Sequence, residues 1–333
     1  MTPARIARAI LVLLACPLAC AAAPRVDCRL VEVASWPVRL ERNLPVTAGA
    51  INGERVGVMI DTGSAATIVT KTAAARLGLA TRTTSERMAG IGGDSRLLVT
   101  RLNELRVGDM VRADLRVHVA GERPIPGVDV ILGEDFLRAV DVEFDYAKQA
   151  VRLFRAEACE SGAWLAYWDK GAQVLPIAYE SGSIRVPVAV NGREASAMVD
   201  SGAANTMVSL ELAYGVGVTR DAPGVHAASC AAGIGAGVLP SWVGRFDSLR
   251  LGAETIRNPR LAFADFAFGD DPPWVRAPQV SYSRRTPDLL LGADFLRTHR
   301  VLVANSQDRL YFTYLGGTVF PESPAGGCSE RLR

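Results

Sequence analysis

The sequence repeats itself once, and this internal duplication limits the possible folds more than any other feature. An Asn-Gly dipeptide and the apolar run after it lead into Asp61 in the first half and into Asp200 in the second, at an offset of 139 residues. Further on, the segment 129–138 reappears as 288–297, where the offset has grown to 159 residues. Two such halves can pack about a pseudo-two-fold axis, as the subunits of a symmetric dimer do.

Each half is predicted to consist of strands with little helix. The dipeptides Asn52-Gly53 and Asn191-Gly192 stand between β-prone runs, which is a strong signal for a tight β-hairpin. The apolar runs into the two Asp residues are typical of buried strands, and a short helix is expected from Lys71 to Leu77 because Gly78 follows it. We therefore predict an all-β fold, mostly of strands, in two pseudo-symmetric halves with few short helices.

The repeat divides the chain of 333 residues into two lobes, placed at 28–157 and 158–316, with a tail at 317–333. The second half contains extra residues, which we assign to a long loop at 268–287 rich in Asp, Pro and Arg. Because Asp61 and Asp200 belong to one chain, any site that they form together is expected to lie within that chain. Pairing of lobes between two chains is the alternative.

The N-terminus has the pattern of a targeting segment, predicted at 1–23. Arg5 and Arg8 precede an apolar stretch at 9–20 that suits a signal peptide and is too short to span a bilayer. Small residues at 19–23 offer a cleavage site. The residues before Cys16 loosely resemble a lipobox, so lipid anchoring is an alternative to simple secretion. The protein is predicted to be exported to the periplasm or cell envelope, without an integral membrane span.

Four cysteines remain after the two in the targeting segment, and an even number in an exported chain predicts two disulfides. Three pairings are possible. Our preferred pairing joins Cys28 to Cys159, which braces the first half, and Cys230 to Cys328, which braces the second. A zinc site is not expected, since no two of these cysteines are close in sequence.

Charge and composition favour no nucleic acid, metal or cofactor. The formal net charge is +2, without a long run of one sign. The Gly-Ile-Gly segments at 90–92 and 233–235 lack the third glycine of a dinucleotide-binding loop. The three histidines are scattered along the sequence, at His118, His226 and His299, so a metal site is not predicted.

The duplicated acids predict a chemistry of their own. Two carboxylates about 3 Å apart repel each other by roughly 5 kcal/mol at an effective dielectric constant near 20, so one of them keeps a proton. The titration then belongs to the pair and not to one Asp. The charged member can take a proton from a bound water, and the neutral member can donate to a carbonyl oxygen. This is general acid–base hydrolysis of an amide, without a metal or a covalent intermediate.

Three features together resemble the retropepsin-type aspartic protease family. They are Asp-Thr-Gly or Asp-Ser-Gly after an apolar strand, a Gly-Ile-Gly segment, and Ile-Leu-Gly or Leu-Leu-Gly before a short helix. Retropepsins are homodimers in which each subunit supplies one Asp, and this chain resembles two such subunits in tandem, over 38–154 and 175–312. The resemblance implies two pseudo-symmetric acid-protease β-barrel lobes, endopeptidase activity and an extended polypeptide substrate bound as an added strand.

The resemblance also implies roles for residues at the site. Asp61 and Asp200 would be the catalytic pair, and Ser64 would hydrogen-bond the outer oxygen of Asp61, which Ala203 cannot do for Asp200. Supporting roles, including a hydroxyl grip between the lobes, fall to Thr62, Gly63, Ser201 and Gly202. Flap tips that cover the substrate would be formed by Gly90, Ile91, Gly92, Gly93, Gly233, Ile234, Gly235 and Ala236.

A second function hypothesis keeps the fold and removes the chemistry. The lobes would hold a peptide without cutting it, as a non-catalytic peptide-binding protein of the envelope. The difference between Ser64 and Ala203 favours this alternative. The presence of both acids and both neighbouring hydroxyl residues opposes it, because a site that has lost its catalytic activity need not keep them.

Overall fold

The computed structural model describes residues 28–160, 162–180, 182–266 and 286–321. The targeting segment, most of the predicted loop at 268–287, Cys328 and most of the tail lie outside these residues. Within them the chain is mostly β-strand with a few short helices, which confirms the predicted fold class.

The first half begins with the strand that later joins the two lobes. Its elements are β1 (Arg29–Pro37), β2 (Arg39–Glu41), β3 (Leu44–Ile51), β4 (Glu54–Ile60), β5 (Ile68–Thr70), α1 (Lys71–Arg76), β6 (Arg82–Gly90), β7 (Gly93–Val107), β8 (Met110–Ala120), β9 (Val130–Leu132), α2 (Glu134–Leu137), β10 (Asp141–Asp145), a 3-10 turn (Tyr146–Lys148) and β11 (Ala150–Glu157).

The second half repeats this plan with shorter strands around its flap. Its elements are β12 (Gln173–Pro176), β13 (Ala178–Glu180), β14 (Ser183–Val190), β15 (Arg193–Val199), β16 (Met207–Ser209), α3 (Leu210–Gly215), β17 (His226–Ala227), β18 (Ser241–Arg245), β19 (Ser248–Leu251), β20 (Glu254–Arg257), β21 (Arg260–Ala264), β22 (Leu289–Leu291), α4 (Ala293–Thr298), β23 (His299–Ala304) and β24 (Arg309–Tyr314).

One sheet forms each lobe, and both lobes use the predicted hairpins. In the first lobe the strand order is β2-β3-β4-β9-β5-β8-β7-β6, and pairing of β3 with β7 curls the sheet onto itself. Asn52 and Gly53 both have positive φ, as a tight hairpin turn requires, and the same holds for Asn191 and Gly192 in the second lobe. The strands that lead into the two Asp residues, β4 and β15, pair in parallel with β9 and β22, so each Asp emerges at the same edge of its lobe.

A six-stranded sheet joins the lobes and shows the pseudo-two-fold axis directly. Its order is β1-β11-β10-β23-β24-β12, so each half supplies three neighbouring strands. Where the halves meet, Val142 lies opposite Val303 and Phe144 lies opposite Val301. Position 142 corresponds to 301 in the repeat, and 144 corresponds to 303. The reciprocal pairing is therefore that of a self-complementary contact.

The predicted disulfide between Cys28 and Cys159 is confirmed, and it ties the start of β1 to the chain just after β11. Cys230 is also disulfide-bonded. Its predicted partner, Cys328, lies outside the described residues. The helices of the described part of the chain are at most six residues long, and none is suited to cross a membrane.

Candidate active site

The two acids of the repeat meet at the pseudo-two-fold axis. Asp61 follows β4, and its backbone N–H donates to Leu132 O at 3.0 Å; Asp200 follows β15, and its N–H donates to Leu291 O at 3.0 Å. Their carboxyl groups are joined by a hydrogen bond. Two carboxyl groups separated by more than a hundred residues of sequence therefore lie in direct contact.

A reciprocal set of hydrogen bonds holds the two loops together. The Thr62 hydroxyl donates to Val199 O at 2.7 Å and accepts from the Ser201 N–H at 3.1 Å. The Ser201 hydroxyl donates to Ile60 O at 2.8 Å and accepts from the Thr62 N–H at 3.0 Å. Each hydroxyl thus satisfies two backbone groups of the other lobe's loop, which is the grip that the sequence predicted. The geometry fixes the separation of the acids that precede these residues.

The glycine after each hydroxyl residue is required by the close approach of the opposite acid. A Cβ atom at Gly63 would lie 2.4 Å from Oδ1 of Asp200, and one at Gly202 would lie 2.4 Å from Cγ of Asp61. Either contact is far inside van der Waals distance. The glycine N–H groups also bind their own lobe's acid, at 2.8 Å from Gly63 to Asp61 Oδ1 and at 3.0 Å from Gly202 to Asp200 Oδ1.

Ser64 differs from its expected role. Its hydroxyl donates to Ala66 O at 2.8 Å, so it is committed to its own loop and is not the partner of the Asp61 outer oxygen. The backbone N–H groups of Ser64 and Ala203 instead lower the pKa values of Asp61 and Asp200, and each N–H donates to the backbone carbonyl of its own Asp, at 3.3 and 3.2 Å. Because both bonds come from the backbone, the Ser64 and Ala203 side chains do not make the two acids unequal.

Electrostatics make the pair suited to hold one shared proton. Burial raises the pKa of Asp61 to about 6, against the opposing effect of the Gly63 N–H. Burial, reinforced by the negative charge of Asp61, raises the pKa of Asp200 well above its usual range. The pair is therefore singly charged near neutral pH. In that state one oxygen can accept a proton from water while the other carboxyl donates one.

A second duplicated contact supports each active-site loop. Asp135 accepts hydrogen bonds from the N–H and hydroxyl of Thr67, at 2.8 and 2.7 Å. Asp294 accepts the same two bonds from Thr206, at 2.8–2.9 and 2.6 Å. Each acid is the second residue of a short helix, α2 or α4, that begins after a glycine. Matching of the two Thr residues in the repeat is the signal that could have identified their partners.

The predicted flap segments of the two lobes meet each other. Ile91 and Gly92 form the turn of the β6–β7 hairpin in the first lobe. The second segment lies in the long connection between β17 and β18, which pair antiparallel, and an isolated bridge joins Ala231 to Leu239 within that connection. The Gly235 N–H donates to Ile91 O at 3.1 Å, and the Gly237 N–H donates to Gly92 O at 2.8 Å. The flap tips therefore touch in this closed form.

Each flap isoleucine packs into the opposite lobe. Ile234, from the second lobe, packs against the first-lobe apolar cluster that contains Met59. Ile91, from the first lobe, packs against the second-lobe cluster that contains Met198. These Met residues lie two positions before Asp61 and Asp200. The exchange places apolar side chains from both lobes along the walls next to the acid pair.

A short segment after β8 also holds the second flap, and sequence reasoning did not find it. The Glu122 N–H donates to Ile234 O at 3.0 Å, and Nε of Arg123 donates to Ala236 O at 2.7 Å. Glu122 is itself held by Lys71 and by the Ser95 hydroxyl. These contacts join residues far apart in sequence, without a repeat to mark them. Over the described residues, no group of three or more His, Cys, Asp or Glu side chains is arranged to bind a metal ion.

Two family profiles match this chain, one in each half of the repeat. The family profile described as gag-polyprotein putative aspartyl protease matches residues 47–139, and the profile described as aspartyl protease matches residues 186–295. No curated protein matches the sequence significantly. Among solved structures, the aspartic proteinase from Irpex lacteus is 13% identical, with a TM-score of 0.46, and the match covers 84% of this chain and 97% of that one.

Proposed function

This chain carries two aspartyl protease domains in tandem and belongs to the aspartic proteases, and on that premise we propose that it is an endopeptidase in which Asp61 and Asp200 are the catalytic pair. Its substrates would be extended segments of polypeptides, bound between lobes at 28–157 and 158–316. The single observation that carries the proposal is the hydrogen bond between the two carboxyl groups at the pseudo-two-fold axis.

The mechanism follows from one proton shared by two acids. The ionised carboxyl takes a proton from a water molecule, whose oxygen attacks the carbonyl carbon of the scissile amide. The neutral carboxyl donates its proton to the carbonyl oxygen, which gives a neutral tetrahedral intermediate. Proton transfer from the pair to the amide nitrogen then lets the C–N bond break. The raised pKa of Asp200 supports its presence as the neutral member near neutral pH.

The flaps account for the preference for extended chains. Their tips are hydrogen-bonded to each other, so a substrate must enter with the flaps open and lie beneath them as a single strand. Ile91 and Ile234, with the apolar clusters of the two lobes, would line both sides of the scissile bond. We therefore expect apolar substrate residues on both sides of that bond.

The test is cleavage of a denatured protein by Asp61→Asn and Asp200→Asn variants, with new termini read by mass spectrometry from pH 3 to pH 8. Each variant should lose at least about 10²-fold in rate while keeping its circular dichroism spectrum, because either change removes the shared proton. Asp221→Asn, at an exposed position, is the matched control and should cleave as the wild type does. Full activity in either active-site variant would refute this mechanism. A wild type that retains peptide uncut would favour the non-catalytic peptide-binding function.

We also propose that the protein is exported after loss of residues 1–23. The disulfide between Cys28 and Cys159 supports an oxidising compartment, because disulfides rarely persist in a reducing cytoplasm.

A further inference from the structure

A third carboxyl group lies behind one member of the pair. Glu134 is the first residue of α2, and its backbone N–H donates to Ser64 O at 2.8 Å, within the loop that follows Asp61. Its side chain is buried, with only 4% of the residue exposed. Both carboxyl oxygens are buried without a hydrogen-bond partner. A buried polar group without partners is costly and rare, so its retention calls for an explanation.

Packing does not explain the acid, because the other lobe manages without it. The residue that corresponds to Glu134 in the repeat is Ala293, which is fully buried at the start of α4. The two helices begin in the same way after Gly133 and Gly292. A methyl group is thus sufficient to fill this position, and the first lobe carries a carboxyl group in addition.

The groups that face Glu134 leave it uncompensated. Asp61 and Asp135 are acids, and their charges disfavour a second negative charge beside them. Arg138 is the nearby cation, but its guanidinium lies over the ring of Tyr179, 3.9 Å from the ring centroid, and does not bond the carboxyl. Burial, followed by the charge of Asp61, raises the pKa of Glu134 to about 8.

We propose that Glu134 is a positioning residue that stays protonated while the catalytic pair works, and that its ionisation displaces the Asp61 loop and sets the alkaline limit of activity. This inference rests on the proposed function of the pair. A neutral carboxyl can remain in the apolar space beneath the loop. An ionised one must turn toward water, and its helix turn is bonded to Ser64 O, so the movement is passed to the loop that carries Asp61.

The same ionisation has a consequence for stability whose sign can be stated. The folded-state pKa lies above the ordinary value of 4.5, so the unfolded chain loses this proton at lower pH than the folded chain does. Folding is therefore progressively destabilised as pH rises from about 4.5 to about 8, and the effect is constant above that range. Removing the ionisable group should make this part of the stability profile flatter.

The experiment compares wild type with Glu134→Gln, Glu134→Ala and the exposed control Glu160→Gln. For each protein, kcat/KM for a cleaved peptide and the Tm are measured from pH 4 to pH 10. In both Glu134 variants the alkaline midpoint of kcat/KM should move up by about one pH unit or more, and the fall in Tm between pH 5 and pH 9 should shrink by several degrees. Glu160→Gln should match the wild type in both profiles.

The outcomes separate this inference from the proposed function. An unchanged alkaline midpoint in both Glu134 variants of an active enzyme overturns the inference and leaves the catalytic pair in place. If no protein in the set cleaves peptides, the proposed function fails, and the dependence of Tm on pH then decides whether the Glu134 carboxyl ionises while it is buried. Flatter profiles in both variants then support its buried ionisation, and profiles parallel to the wild type overturn it.

Discussion

Removal of one hydroxyl from the grip between the lobes should cost far more stability than its size suggests. Thr62 and Ser201 are fully buried, and each hydroxyl satisfies one N–H and one carbonyl of the opposite loop. The change Thr62→Val keeps the side-chain volume but leaves the Ser201 N–H and Val199 O without partners. Each buried group left unsatisfied costs about 1–3 kcal/mol, so the expected loss is about 2–6 kcal/mol. Ser201→Ala should cost a similar amount through Ile60 O and the Thr62 N–H.

The assay is equilibrium unfolding in urea of the two single variants and of the double variant. Because the two hydroxyls belong to one network, the double variant should lose less than the sum of the single losses, by about 1–2 kcal/mol. Cleavage activity should fall in all three, since the loops position the acid pair. The matched control is Thr47→Val, which removes a buried hydroxyl that donates only to Pro37 O at 2.9 Å, within the first lobe.

The control fixes what would refute the reasoning. Thr47→Val should cost about 1 kcal/mol and should add independently to Ser201→Ala. If Thr62→Val costs no more than Thr47→Val, the grip is not a major contribution to stability. Strict additivity of Thr62→Val with Ser201→Ala would show that the two hydroxyls act separately, contrary to their reciprocal geometry.

Two further changes test the flaps and the disulfide. Ile234→Ala removes the side chain that packs into the first lobe, so the flap should open more often. We expect faster amide exchange at 233–237, measured by mass spectrometry, and a higher KM. Val111→Ala, at an exposed position, is the control, and unchanged exchange in Ile234→Ala would contradict the prediction. The disulfide between Cys28 and Cys159, which are 131 residues apart in sequence, can be removed by Cys159→Ser or by retaining the protein in the cytoplasm through deletion of residues 1–23. Either change should lower the free energy of unfolding by about 2–5 kcal/mol. Equal urea midpoints with and without reductant would contradict this prediction.

The sequence by itself determined the duplicated plan of the fold and the identity of the acid pair. Hairpins at Asn52-Gly53 and Asn191-Gly192 depend on local turn chemistry, and strands leading into Asp61 and Asp200 depend on apolar runs, so both can be seen without coordinates. The repeat then adds long-range information that a single motif lacks. Corresponding residues near a two-fold axis must meet, whatever the details of packing.

Tertiary structure alone decided where the two halves stop being equivalent. Ser64 was expected to bond Asp61 through its hydroxyl, but a carbonyl two residues away takes that donor. Glu134 and Ala293 occupy the same position in the repeat, and only packing shows that the carboxyl is buried without a partner. The hydrogen bonds from Glu122 and Arg123 to the second flap join the two lobes. Such contacts depend on differences of an ångström in how distant elements approach, and sequence periodicity records which face a residue occupies but not that distance.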